Sequence, residues 1–595
     1  MNNYYRMISF LIIVLVTTMF LGGCGGDTII EYPKGEATIK VNGKLIDGTV
    51  RYKFLATGCV VDAATFASLL PGVELFAYAA NDGITIQHGS KISCAGIGKQ
   101  TAFISMRPFT MEPPLEFSDG IYWAPLSFFA HAFSGSVQFS SGDTVMEVTL
   151  PTPSEIGDVV PEAKPVAQKL SEQFTVRRGD ISLANAVQLF VAGYVPNCNG
   201  NNATFPYIII QSPPSPRQTS PLMFPIIIQM DNDEGFVLVG RTPPECKYFS
   251  YRSYLLNRYF GDENPPARRK IYASLGDTIN NYNLTQYHGY QDPFKSLIVI
   301  IVTGNKRTQD ILTETVKEAG IPEDRILYDI IPPELVTFGL DFMADGFHLL
   351  HRVSVFSSAE EKNDYITQPT IEILRVTPKE RLEFIPLATP ELRNRKTNIK
   401  EEDIEPLLPQ LLNQLRDAII AEHGSGYPPP TQLDTYVWLE EGRKAIQDRI
   451  DVLGETRDTI YLRTPSFVLE ENDLIVVYGV NHTKTGKAVY TNVSIYGSEY
   501  FNGVGGITNS TYEGTARHYL PGVDPDLADM LYVYHFSRTA GPDTFVIPLN
   551  ADGSYTGFNN GDSVFMGYRA YVDVLTTVGP DIDEIIRDQA LHFSK

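Results

Sequence analysis

The chain has 595 residues, a formal net charge of −22, 43% hydrophobic and 20% charged residues. That length calls for several domains, and the composition is that of ordinary globular protein, not of a disordered chain. So strong an acidic balance excludes nucleic acid as a partner, because phosphates require a basic face. It also argues against electrostatic docking on anionic lipid.

Met1–Cys24 begins with a short basic segment, MNNYYR, followed by an apolar run from Met7 to Phe20 and then Leu21-Gly22-Gly23-Cys24. This is the anatomy of a secretory signal, and the run is short for a membrane span, which needs about 20 apolar residues. Leu-Gly-Gly-Cys resembles the lipobox of bacterial lipoproteins. The resemblance implies cleavage after residue 23, lipidation of Cys24 and membrane attachment through that lipid. Gly25 in place of Asp leans towards the outer membrane. Export fits the remaining cysteines, Cys59, Cys94, Cys198 and Cys246. An even number in an oxidising compartment suggests disulfides, and four allow three connectivities. The local pairing, Cys59–Cys94 and Cys198–Cys246, keeps each bridge within one domain.

Residues 24–36 form a tether. Between Ala37 and Pro151 a pattern occurs twice: Gly58–Leu70 parallels Gly120–Phe133, and each copy reads strand, short helix and strand pair. The second copy, Asp-Gly-Ile-Tyr-Trp-Ala-Pro-Leu-Ser-Phe-Phe-Ala-His-Ala-Phe, resembles the copper amine oxidase-like N-terminal domain, a stalk or surface module of exported bacterial proteins. That resemblance implies an α+β packing module without catalytic residues. Thr278-Ile279-Asn280-Asn281-Tyr282-Asn283 matches the quinone-forming motif of the oxidase itself, but none of the ten histidines forms His-x-His. Without its copper set the motif is a coincidence.

Residues 152–175, rich in Pro and Glu, read as a linker. The segment 176–390 reads as a β-rich α+β domain. A helix is expected over Asp180–Tyr194, and strands at Tyr207–Gln211, Pro225–Met230, Gly235–Val239, Tyr248–Tyr254, Lys270–Ser274, Ser296–Thr303 and Ile326–Ile331. Arg307–Ala319 is a helix stopped by Gly320, placed as a crossover between two strands. Within a helix expected over Leu340–Val353, Asp341, Asp345, His348 and His351 form a candidate site for a divalent metal. The alternative is a solvent-facing polar stripe. Asp277, at a strand end, reads as a turn residue.

Residues 391–455 read as a helical joint, with helices over Glu401–His423 and Leu433–Leu453. Leu408, Leu411, Leu412, Leu415, Ile419 and Ile420 draw an apolar stripe expected to be core. Residues 456–595 read as a β-sandwich-like domain, with strands at Thr459–Arg463, Leu474–Tyr478, Ala488–Tyr496, Met530–Ser537, Thr544–Pro548 and Ser563–Val572, and a closing helix over Ile582–Leu591. Gly479–Lys487 fails as a phosphate loop because its glycines are seven apart, not five. The sequence thus predicts an α+β envelope protein that binds rather than catalyses, with no obligatory cofactor. Its competing reading is a metal-assisted hydrolase using Asp345, His348 and His351.

Overall fold

The computed structural model describes residues 34–78, 82–140, 144–204, 207–219, 221–222 and 225–595. The signal segment and Cys24 lie outside them. Among the described residues no helix is long and apolar enough to cross a membrane. The protein is a β-rich α+β structure.

In the N-terminal domain both copies of the sequence repeat fold as read. Gly58–Asp62, Ala63–Ser68 and the hairpin Val73–Ala77/Gly83–His88 match Ile121–Pro125, Leu126–Phe133 and the hairpin Ser136–Ser140/Val145–Thr149. A seven-stranded and a five-stranded sheet enclose the two helices, with Phe66, Phe128, Phe129 and Phe133 in the core.

The body that follows is one fold built twice. The first unit comprises α1 (Ala163–Leu170), β1 (Phe174–Arg178), β2 (Asp180–Ala184), α2 (Ala186–Val191), β3 (Tyr207–Gln211), β4 (Gly235–Arg241), β5 (Cys246–Phe260), β6 (Ala267–Ser274), α3 (Asn281–Tyr287), β7 (Leu297–Thr303), α4 (Lys306–Glu318), β8 (Ile326–Ile330), β9 (Gly346–Phe356), α5 (Ala359–Thr367) and β10 (Ile371–Pro378). The second comprises α6 (Leu408–His423), β11 (Thr431–Asp434), β12 (Tyr436–Val437), α7 (Gly442–Asp448), β13 (Thr459–Arg463), β14 (Leu474–Val480), β15 (Tyr490–Gly497), β16 (Gly503–Thr508), β17 (Leu531–Ser537), β18 (Thr544–Val546), β19 (Ser563–Tyr571) and β20 (Gln589–Phe593).

The inner sheets run β1-β10-β4-β7-β8 and β11-β20-β14-β17-β18, each antiparallel except for its last, parallel pair. The outer sheets run β2-β3-β9-β5-β6 and β12-β13-β19-β15-β16, antiparallel throughout. Each of these ten strands of the first unit therefore has a counterpart in the second, in the same order and direction; the two-residue strands Ile279–Asn280 and Phe467–Val468, paired with β5 and β19, have none among the described residues. Helices α1 and α6 precede equivalent strands, as do α2 and α7.

Each unit is a layered stack. In the first, α1 and α4 cover one face of the inner sheet, and that sheet's other face packs on the outer sheet through Phe236, Leu238, Ile300, Phe249, Phe347 and Leu349. In the second, the α6 stripe Leu408, Leu411, Leu415 and Ile419 covers Val476, Val533 and Phe593. The free faces of the two outer sheets then meet, with Tyr248, Tyr490 and Tyr571 packed together.

Several expectations need correction. The linker segment contains α1, which is buried in the first unit and is not a spacer. Asp180–Tyr194 divides into β2 and α2, because Asn185 caps the helix by accepting from Val187 and Gln188 N–H groups, leaving residues 180–184 to pair with β3. Pro225–Met230 forms only an isolated bridge, Ile228 to Phe347. Leu433–Leu453 holds two short strands and α7 rather than one helix, so residues 408–455 belong to the second unit. Ile582–Leu591 is not helical; Gln589–Phe593 is β20, paired with β14.

A candidate binding site where the two units meet

Strand registers superimpose the units residue by residue. Tyr207 on β3 stands opposite Arg352 on β9, and Tyr461 on β13 stands opposite Arg569 on β19. Arg352 also faces Ser250, and Arg569 faces Asn492, which makes Tyr248 and Tyr254 equivalent to Tyr490 and Tyr496.

The contacts between units are reciprocal. Arg352 donates to the Gly454 carbonyl of the second unit, and Arg569 donates to the Gly200 carbonyl of the first. Tyr248 Oη donates to Asp458 at 2.9 Å, and Tyr490 Oη lies 3.1 Å from the Thr204 hydroxyl. Thr204 and Asp458 each stand three residues before the equivalent tyrosines Tyr207 and Tyr461. Two equal faces joined by exchanged contacts are the signature of an isologous interface, here inside one chain. Among the described residues neither guanidinium has a carboxylate partner. Arg352 lies against the rings of Tyr207 and Tyr254, and Arg569 against those of Tyr461 and Tyr496, which compensate the buried charge.

The symmetry fails at one place. In the second unit Trp438, whose backbone N–H donates to the Tyr461 carbonyl, lies with its ring edge-on to Phe565 and Tyr496. It reaches Gly200 of the first unit, where a Cβ would come within 2.9 Å of the indole. The register makes Ala184, opposite Tyr207, the counterpart of Trp438, and His348 the counterpart of Phe565. The first unit therefore has a methyl group and an imidazole where the second has an indole and a phenyl ring. Tyr272 takes over part of the indole's contacts, against Gly454 and edge-on to Tyr254 and His348, and beside it lies a cavity of about 400 Å³, lined among others by Ala184, Leu189, Ile209, Leu350 and Leu453. Such a volume is typical of small-molecule sites.

Its polar lining is one-sided. Arg268, Lys270 and Arg352 border it, while the guanidinium of Arg269 turns to Glu263 and the Phe260 ring, and among the described residues no carboxylate lines it. Lys270 Nζ is anchored by Asn197, Asn199 and, at 3.0 Å, by Asp451; burial lowers its pKa while Asp451 opposes the shift. His348 is 2% exposed. Burial holds its pKa at about 4, so the ring is neutral at physiological pH. Its Nδ1 faces the Ile226 carbonyl at 3.1 Å and must donate to it, leaving the Nε2 lone pair free for a ligand donor. Tyr194, from the loop after α2, also lines the cavity; it accepts from Gly96 N–H at 2.8 Å and donates to the Thr101 carbonyl at 2.9 Å, so the N-terminal domain braces this wall.

The expected metal quartet is not assembled. Leu340–Val353 is a loop running into β9, not a helix, and residues three apart on a strand face opposite sides. His348 faces the cavity, whereas His351 points into the core, stacked on Tyr251 and 2.9 Å from Tyr365 Oη. Asp345 is held by Arg258, at 2.9 Å for one oxygen, and Asp341 caps the turn at Met343 and Ala344. Asp277 is a turn residue that bridges the units through Arg457 at 2.7 Å and Arg393 at 3.3 Å.

All four described cysteines are free thiols. Cys59 and Cys94 lie in different sheets of the N-terminal domain; Cys198 lies in the loop against the second unit, while Cys246 is at the start of β5. Burial pushes Cys59 and Cys198 to about 12 and raises Cys94 and Cys246 as well, so none is a nucleophile at neutral pH.

Sequence reasoning missed Ala184, Lys270, Arg352 and Trp438. The available signal was the pair Gly200…Tyr207 and Gly454…Tyr461 at identical spacing, together with His351-Arg352 and Tyr568-Arg569.

No family model and no curated protein matches the chain. Among solved structures, an uncharacterised protein of Burkholderia cenocepacia is similar at 9% identity and a TM-score of 0.31, over 66% of this chain and 78% of its own. The VPA0106 protein of Vibrio parahaemolyticus is similar at 10% identity and a TM-score of 0.29, over 73% of this chain and 99% of its own.

Proposed function

We propose that the protein is a lipid-anchored envelope binding protein whose first unit takes an elongated apolar molecule with an anionic head. The signal anatomy and Cys24 support the anchor, with the copper amine oxidase-like domain as the module that carries the body and braces the cavity. The observation that carries the binding reading is the exchange of Trp438 and Phe565 for Ala184 and His348 at equivalent positions of a duplicated fold. A cavity that one copy fills and the other keeps, bordered by Arg268, Lys270 and Arg352 in a chain of net charge −22, suits an anion with an apolar body. The hydrolase reading drew on Asp345, His348 and His351, which the fold sends to three separate environments.

Dodecanoate and 1-dodecanol test the proposal by calorimetric titration of the full chain. Dodecanoate is expected to bind once per chain and about tenfold more tightly than the alcohol, a difference of about 1.4 kcal/mol. Ala184→Trp should abolish both while the protein stays folded, because the second unit already holds an indole there. Failure of the wild type to bind either probe, or unchanged binding by Ala184→Trp, would refute the reading.

A further inference from the structure

Away from this cavity, on the far face of the second unit, the C-terminal end of α6, the turn Thr515–His518 and β17 bring three donor atoms together. His423 Nε2 and His535 Nε2 lie 3.3 Å apart. The Tyr519 hydroxyl stands 3.1 Å from His535 Nε2 and 3.5 Å from His423 Nε2. For metal bonds of about 2.0–2.1 Å, the edge of a coordination tetrahedron is about 3.3–3.4 Å. The three separations therefore outline one face of such a tetrahedron.

Proton bookkeeping points the same way. His535 Nδ1 faces the Asp543 carbonyl at 3.1 Å, so it carries the proton and leaves a lone pair on Nε2. That is the backbone-oriented tautomer by which metal-ligating histidines are held. The single lone pair can accept from His423 or from Tyr519, but not from both. A cation at the centre satisfies all three atoms at once. Glu422, next to His423, has one oxygen 4.0 Å from His423 Nε2, and its other oxygen accepts from His518 at 2.9 Å. The same carboxylate also interacts with the Tyr519 hydroxyl, so it stands beside the three donor atoms. Among the described residues no three His, Cys, Asp or Glu side chains converge on a metal position, so the phenol is what completes this set.

We infer that His423, His535 and Tyr519, with Glu422 as the fourth ligand, form a site for a divalent transition ion of the zinc class. Two imidazoles and two oxygen donors suit Zn(II) rather than Mg(II) or Ca(II), which require more oxygen ligands. The site would fasten α6 to β17, which lies between β14 and β18 in the inner sheet.

The test uses the full chain stripped with chelator and reloaded with Zn(II) or Co(II). One Zn(II) per chain and the visible bands of tetrahedral Co(II) are expected. His423→Gln and His535→Gln should each weaken Zn(II) binding by about 100-fold, and Tyr519→Phe by about 10-fold. The exposed His288→Gln should bind as the wild type. Should a histidine variant fail to fold, Tyr519→Phe and the wild-type Co(II) spectrum decide. No bound zinc in the reloaded wild type, an octahedral Co(II) spectrum, or wild-type affinity in His535→Gln or Tyr519→Phe would overturn the inference.

Discussion

The second unit contains a buried cation whose loss should make stability fall with rising pH. His482, 2% exposed, places Nδ1 2.7 Å from Glu401 and Nε2 3.4 Å from Asp588. Glu401 also accepts from Thr485 Oγ1 and Ile586 N–H, both at 2.7 Å, and Tyr532 Oη donates to Asp588 at 2.6 Å. Burial alone would lower the imidazole pKa, but Glu401 and Asp588 outweigh it and hold the ring at about 10. Because the folded value lies above the unfolded value of about 6.5, the imidazolium stabilises the fold fully below pH ~6.5, and the contribution fades as pH rises towards ~10. In between, the folded state holds one more proton than the unfolded chain, which makes the slope about −1.4 kcal/mol per pH unit. From pH ~7.5 to ~9 the unit should lose about 2 kcal/mol. The chain has two tryptophans, Trp123 and Trp438, so urea unfolding followed by fluorescence in a Trp123→Phe background reports on the second unit. His482→Gln should cost about 3–5 kcal/mol near neutrality, since it leaves two buried carboxylates without their cation, and should flatten the pH slope. Equal losses between these pH values in wild type and His482→Gln would refute the assignment.

The reciprocal arginines should prove unequal. Arg352→Met removes bonds to Tyr254 and Gly454 and should cost about 2–4 kcal/mol, whereas Arg569→Met should cost less, because Arg569 Nε and Nη1 already lack hydrogen-bond partners. Chemical denaturation of both variants checks this, and a larger loss in Arg569→Met would contradict it. At the other end of the chain, Cys24→Ser should release the protein from membranes into the soluble fraction on fractionation; persistence in the membrane pellet would rule out the lipid as the attachment.

Short apolar runs bounded by turn residues, and helices with one wet face, were legible. Tyr207–Gln211 and Thr459–Arg463 were read with the limits they have in the fold, and the crossover through α4 was read within one residue at each end. The α6 stripe was read as core and is core. Strand β9 shows why others failed: nine of its eleven residues are buried, so the run Phe-His-Leu-Leu-His-Arg-Val lacks the alternation that separates strand from helix. The duplication was hidden because the shared residues are few. Tyr248 and Tyr254, Tyr490 and Tyr496, and the two arginines are separated by stretches of different length in the two units. The cavity was illegible for a stronger reason. Its signal is a single alanine, which acquires meaning only beside the tryptophan at the equivalent position.

That alanine also explains how the three parts of the protein are arranged. On the filled side, Trp438 crosses the interface to Gly200, and the indole itself seals the junction between units. On the other side Ala184 cannot reach Gly454, and the Tyr272 ring of the first unit lies there instead, against Gly454 and edge-on to Tyr254 and His348. Cys94, Phe103 and Met106 of the N-terminal domain pack in one apolar cluster with Ala184, Leu189, Ile209 and Leu350. Tyr194 is clamped between Gly96 and Thr101 at the same wall. The N-terminal domain thus docks on the side of the duplicated body that lacks its tryptophan. The exchange of Trp438 for Ala184 therefore falls on the side that holds the cavity and the docked N-terminal domain, while the charge of that cavity comes from Arg268, Lys270 and Arg352.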